Sequence, residues 1–138
     1  MLATDFRLMS SSAQIAFVEA KMGVGTGWGG GYLLTQLLGR SKALDLLLTC
    51  RQISGQDALN LGLVHELIPP DQDVSEEARL EYAINWLKQR VGAHDPALVR
   101  TMKQIVHAQD LDKEREIFAR SWGGPEQLKA LSRNVKHK

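Results

Sequence analysis

The sequence predicts an α/β fold over residues 1–70, followed by an all-helical region over residues 71–138. Three observations carry this. Short apolar runs flank a serine turn near the start. The glycine-rich run Gly23-Val-Gly-Thr-Gly-Trp-Gly-Gly-Gly31 opens directly into helical spacing. After Pro69-Pro70 the composition turns polar, and only helical periodicity recurs.

Strands are expected over residues 2–8 and 13–17, with Ser10-Ser11-Ser12 turning between them. Six glycines fall within the nine residues 23–31. They let the chain turn sharply and approach a neighbour closely. Leu33, Leu34, Leu37 and Leu38 then predict a helix over residues 32–38, with Gly39 as its stop. Ser41 is placed to cap a helix over residues 42–48. Ser54 with Asp57 three positions on resembles a capping box, opening a short helix over residues 57–61 that Gly62 ends. Residues 63–68 read as a strand stopped by the two prolines. From Ser75 onward, Leu80, Ile84, Leu87 and Val91 fall on one helical face, and Trp86, one position off that stripe, reads as packing. Asp95-Pro96 opens the next helix, with Leu98, Val99, Met102, Ile105 and Val106 as its stripe. A helix over residues 111–121 is broken by Trp122-Gly-Gly-Pro125, and a last basic helix carries Leu128, Leu131 and Val135. The one-sided stripes of this second region need a cover.

The bulk properties narrow the function. At 138 residues the chain makes one domain or part of a larger one. A net charge of +1, with acids and bases interspersed, leaves no electrostatic footprint for nucleic acid. The single cysteine, Cys50, excludes an internal disulfide framework and a multi-cysteine zinc site, fits a reducing compartment, and reads as buried and inert. No apolar run approaches the roughly 18 residues of a membrane span. The first residues show no signal-peptide pattern. His65, His94, His107 and His137 lack metal-ligand spacing and read as surface or cap residues.

Two features carry chemistry. Gly25-Thr-Gly-Trp-Gly-Gly30 satisfies G-x-G-x-x-G, and a helix start behind such a turn favours negative charge. A dinucleotide site also wants a second strand ending in an acid about 20 residues on. Here that region, Asp45-Leu-Leu-Leu-Thr-Cys50, is leucine-rich and helical in pattern. A tight turn that binds nothing is the competing reading. Glu19 stands among Phe17, Val18, Ala20 and Met22, where partial desolvation raises a carboxyl toward a proton donor usable near neutrality. The competing reading is a surface glutamate at a strand end, paired with Lys21.

The order of segments decides between these readings. Leu2-Ala-Thr-Asp-Phe-Arg-Leu8, Ile15-Ala-Phe-Val-Glu19, the run 23–31, Leu37-Leu-Gly39, Ile53-Ser-Gly-Gln-Asp-Ala58 and Leu61-Gly-Leu-Val64, in this spacing, resemble the crotonase (enoyl-CoA hydratase/isomerase) superfamily. Trp28-Gly-Gly30 and Trp122-Gly-Gly-Pro125 are similar to its ethylmalonyl-CoA decarboxylase branch. The resemblance implies the second half of a ββα spiral core followed by a C-terminal helical region that drives assembly into trimers or hexamers. It implies acyl-CoA substrates and an enolate held by two backbone N–H donors. No separate cofactor is implied, coenzyme A being part of the substrate.

Carried over, Glu19 falls where hydratases keep their second catalytic glutamate. Gly27, Trp28, Gly29 and Gly30 fall at the acyl pocket, and Arg133 and Lys136 near the CoA phosphates. The motif before Glu19 departs from the hydratase pattern Gln-Pro-Glu, and Thr26 replaces the usual proline, which predicts a looser turn. The oxyanion segments of the family lie upstream of Leu2. One such donor contributes about 3–4 kcal/mol. The resemblance therefore implies decarboxylation of ethylmalonyl-CoA or methylmalonyl-CoA. An enoyl-CoA hydratase or isomerase is one alternative. A non-catalytic truncated isoform acting as an oligomerisation partner is another. Decarboxylase relatives imply a cytoplasmic location, other crotonases a mitochondrial one.

Overall fold

The computed structural model describes residues 1–132. The chain divides into two compact units, Met1–Ile84 and Asn85–Lys138. The expected α/β class is what the first unit shows. Arg133, Val135, Lys136 and His137 lie outside the described residues.

The strands are shorter than the sequence suggests. Residues 2–5 form a turn rather than a strand, because Thr4 takes its own local bonds: its N–H and hydroxyl both donate to the Met1 carbonyl, at 3.2 and 2.8 Å. β1 is Leu8–Ser10 and pairs in parallel with β4, Glu66–Ile68. Leu63 and Val64 do not extend β4, since both N–H groups donate back to the Ala58 carbonyl, at 2.8 and 3.3 Å. The pair is lengthened instead by Arg7 and His65. The Arg7 N–H donates to His65 Nδ1 at 3.2 Å, and the His65 N–H donates to the Arg7 carbonyl at 2.8 Å. The Arg7 side chain is buried and donates through Nε to the Leu63 carbonyl at 2.7 Å. Burial pulls its pKa down, with Asp5 opposing.

β2, Gln14–Ile15, does not pair with β1 across the serine turn. It pairs antiparallel with β3, Ile53–Ser54, in a second two-stranded sheet.

α1 is Gly30–Leu38 and α2 is Arg40–Thr49. One residue, Gly39, joins them. It adopts φ 78° and ψ 163°, a conformation open essentially only to glycine. Gly39 is thus the N-cap of α2, and Ser41 lies inside the helix rather than capping it. α2 ends on Cys50, which is buried in a left-handed conformation with its thiol directed at the Leu47 carbonyl, 3.5 Å away. α3, Gly55–Leu61, carries the expected capping box: Ser54 Oγ accepts from the Asp57 N–H, and Asp57 accepts from the Ser54 N–H. Gly62 closes it. Leu34, Leu38, Ala43, Leu46, Ile53, Ala58, Leu63, Val64 and Met9 form the core of this unit.

α4, Glu76–Val91, departs from its predicted stripe. Leu80, Ile84 and Leu87 are exposed, and Trp86 is the buried residue, with the Arg90 guanidinium 3.4 Å from its ring centroid. In the second unit α5 is Pro96–Ala108, α6 is Leu111–Ser121 and α7 is Pro125–Ser132. Asp95 caps α5 through the Ala97 N–H at 2.7 Å. Met102, Val106, Leu128 and Leu131 of the predicted stripes are exposed.

Candidate functional site

Glu19 does not end a strand. It begins a 3₁₀ helix, Glu19–Met22, that packs against α2. Its carbonyl accepts from the Val24 N–H at 3.1 Å, which fastens it to the start of the glycine run. The residue is half-buried, and its carboxylate has no hydrogen-bond or ion-pair partner among the described residues, so the pairing with Lys21 does not form. The expected apolar enclosure is one-sided. Phe17 packs against the core, whereas Val18, Ala20 and Met22 are exposed.

The glycine run forms the turn into α1. The Gly30 N–H donates to the Gly27 carbonyl at 2.9 Å. Trp28 holds φ 59° and Gly29 φ 79°, so two successive left-handed residues swing the chain into the helix. Left-handed backbone strains a tryptophan, and this one is fully exposed, at 104% of its reference area. Gly29 caps α1 without a side-chain oxygen. The Thr26 hydroxyl lies against Gly31, where an added Cβ would come within 2.7 Å of it. Gly27, Trp28, Gly29 and Gly30 thus follow Glu19 on one continuous segment.

The dinucleotide reading fails here. The region that would supply the second strand and its acid, Asp45 to Thr49, lies within α2. No group of three or more His, Cys, Asp or Glu residues that could hold a metal exists among the described residues. No helix there is long and apolar enough to cross a membrane. Of the histidines, His94 and His107 are exposed, and His65 is the acceptor already described.

Two polar or concave features escaped the sequence reading. Asp73, with 9% of its side chain exposed, accepts from the Ser10 hydroxyl and from Arg79 at 3.2 Å. The Ser10 hydrogen bond, then Arg79, holds its carboxyl below the usual range. Nothing local in the sequence joins residues so far apart. The second unit holds a groove of about 570 Å³ lined in part by His94, Asp95, Phe118, Arg120, Trp122 and Gln127. Phe118 and Trp122 meet at 5.1 Å between ring centroids, and their i, i+4 spacing was the available signal.

The family model described as enoyl-CoA hydratase/isomerase matches residues 1–122. The chain belongs to the enoyl-CoA hydratase/isomerase family. It is 34% identical to ethylmalonyl-CoA decarboxylase of Mus musculus, over 98% of this chain and 43% of that protein. The Homo sapiens protein of the same name is also 34% identical, over 97% of this chain and 45% of its own length. A solved enoyl-CoA hydratase from Bacillus anthracis superposes with a TM-score of 0.80 at 27% identity, covering 95% of this chain and 51% of that one. A putative enoyl-CoA hydratase from Thermobifida fusca, solved in complex with acetoacetyl-CoA, gives a TM-score of 0.70 at 25% identity, over 96% of this chain and 48% of that one. The chain thus spans about half the length of the curated relatives it matches, consistent with their C-terminal half.

Proposed function

We propose that this chain forms one wall of an acyl-CoA site that decarboxylates ethylmalonyl-CoA or methylmalonyl-CoA. The observation that carries this reading is Glu19: a half-buried residue whose carboxylate has no partner among the described residues, and whose carbonyl accepts from the Val24 N–H at the start of the glycine run. The similarity to the mammalian ethylmalonyl-CoA decarboxylases supports the substrate class. In the reaction the bond from the α-carbon to the carboxylate breaks, CO₂ leaves, and the electron pair passes into the thioester as an enolate. A proton must then reach the α-carbon. Glu19, or a water that it orients, delivers it, and solvent returns the proton to the carboxylate. Trp28 with Gly27, Gly29 and Gly30 shapes the acyl pocket, and Arg133 and Lys136 are proposed to meet the CoA phosphates. The resemblance implies that the donors for the enolate oxygen belong to the other half of the family fold, so the catalytic body we propose is of full family length.

The test joins this chain to the upstream half of the mouse relative and assays CO₂ release from ethylmalonyl-CoA. Release that falls at least about tenfold in Glu19→Gln supports the reading, in line with the 10²–10⁴-fold contribution of a positioned acid or base. Absence of CO₂, with hydration of crotonyl-CoA in its place, overturns it. That outcome would favour the hydratase or isomerase reading, to which the glutamate at position 19 and the hydratase names of the solved neighbours lend support. A non-catalytic role as an oligomerisation partner is the third reading, and native mass spectrometry of a trimer or hexamer checks it. A reducing, cytoplasmic location fits the one buried cysteine.

A further inference from the structure

Parallel pairing sets each backbone N–H of one strand against a carbonyl of the other. In the register of β1 with β4, continued by one residue, the Arg7 N–H would reach the Leu63 carbonyl. That carbonyl is taken by the Arg7 side chain itself, through Nε at 2.7 Å. The Arg7 N–H turns instead to the His65 ring, whose Nδ1 accepts it at 3.2 Å. The ring thus stands in for a backbone carbonyl. The His65 N–H closes the pair from the other side, donating to the Arg7 carbonyl at 2.8 Å. Phe6 meets the imidazole edge-on, with ring centroids 5.4 Å apart. Nδ1 can accept only while it carries no proton, so this bond selects the neutral ring with its proton on Nε2.

Two effects oppose charging the ring. A proton on Nδ1 would set two donors face to face and take from the Arg7 N–H its acceptor, in a part-buried place. The buried Arg7 guanidinium adds like charge. The carboxylates of this corner act the other way. Asp5 is drawn to Arg7. Glu66 follows His65 in sequence, and successive residues of a strand point to opposite faces. β1 carries no charged residue. α3, which packs against β4, carries one, Asp57, held by Ser54 at the start of its helix.

We propose that Arg7 and His65 form a pH-sensitive clasp: the neutral His65 ring holds the entry to β1 against β4, and its protonation lets that entry go. β1 continues through the serine turn and β2 to the 3₁₀ helix of Glu19, so the clasp anchors the lead into the candidate site. An unfolded histidine titrates at about 6.5. The folded chain, which needs the neutral ring, takes up that proton less readily than the unfolded one. The clasp therefore contributes stability that is fully present above that value and is lost as the pH falls below it.

Two readouts on the 138-residue chain test this. The first is the ring nitrogen chemical shifts of His65 followed against pH by NMR. A proton-free Nδ1 near neutrality and a titration midpoint below about 6.5 are expected. The second is the urea unfolding midpoint between about pH 7.5 and about pH 5.5, for the unmodified chain and for His65→Asn. The asparagine Oδ1 can accept from the same N–H and does not titrate. On acidification the unmodified chain is expected to lose at least about 0.3 M more than His65→Asn. His65→Leu, which offers no acceptor, is expected to fall below His65→Asn at the neutral end. A side chain that merely packed would move neither the tautomer nor the pH course. A protonated Nδ1 at neutral pH, a midpoint at or above about 6.5, or the same acid loss in His65→Asn overturns the proposal. So does a His65→Asn chain that fails to fold at neutral pH, since the acceptor is kept.

Discussion

Gly39 holds both sides of the candidate site, so Gly39→Ala is the most telling single change. α1 starts at the turn that carries Trp28 and Gly29, and α2 packs against the 3₁₀ helix that carries Glu19. The one residue between them sets their angle and places Leu34 and Leu38 against Ala43 and Leu46. The cost can be isolated, because a Cβ at position 39 would meet nothing within 4 Å. No steric or cavity contribution enters, and what remains is backbone strain at φ 78° and ψ 163°. That region is essentially closed to alanine, at about 1–3 kcal/mol. With a urea dependence of about 1–3 kcal/mol per molar, the unfolding midpoint falls by about 1 M. Urea titration followed by helical circular dichroism reads this directly. A comparison variant, Gly62→Ala, sits at φ 82° and ψ 14° in the ordinary left-handed region and is expected to cost less, about 1 kcal/mol. A Gly39→Ala midpoint equal to that of the unmodified chain, or above that of Gly62→Ala, would refute the reasoning.

Two further outcomes follow from the same unit. Ser54→Ala removes the acceptor for the Asp57 N–H, at 3.1 Å, and the partner of the Asp57 carboxylate, at 2.8 Å; a loss of about 1 kcal/mol is expected by urea titration, and a change near zero would show that α3 needs no cap. Asp73→Asn tests the acid link between Ser10 and Arg79. Because its folded pKa lies below the ordinary 3.8, Asp73 contributes stability that is fully present above that value and is lost as the pH falls through the folded one. The midpoint difference between the unmodified chain and Asp73→Asn should be largest near neutrality and shrink as the pH falls below about 4, and parallel curves would count against the link.

The relation between sequence and structure differs from element to element. The caps were legible because their chemistry is complete within four residues. Ser54 with Asp57, Gly62, Asp95-Pro96 and the Trp122-Gly-Gly break all act where they were expected. Ser41 misled because a serine near a helix start is only a candidate, and the neighbouring glycine could make a turn that no serine can. The strand lengths were overread for a related reason. Thr4 and the Ala58 carbonyl capture backbone groups that a propensity count assigns to the sheet.

Motif order alone placed the chain in its family, and local composition alone placed Glu19 beside the glycine turn. Neither depends on distant partners, because both lie on one short run of chain. Which strands pair, and which apolar residues stay uncovered, came only from the tertiary structure. β1 meets β4 across more than fifty residues of sequence, and a hydrophobic stripe states that a face exists without stating what covers it. Trp28 shows the distinction most clearly. Its position in the turn is a property of the sequence, whereas its full exposure at a left-handed φ is a property of the fold, set by what the other described residues can and cannot reach.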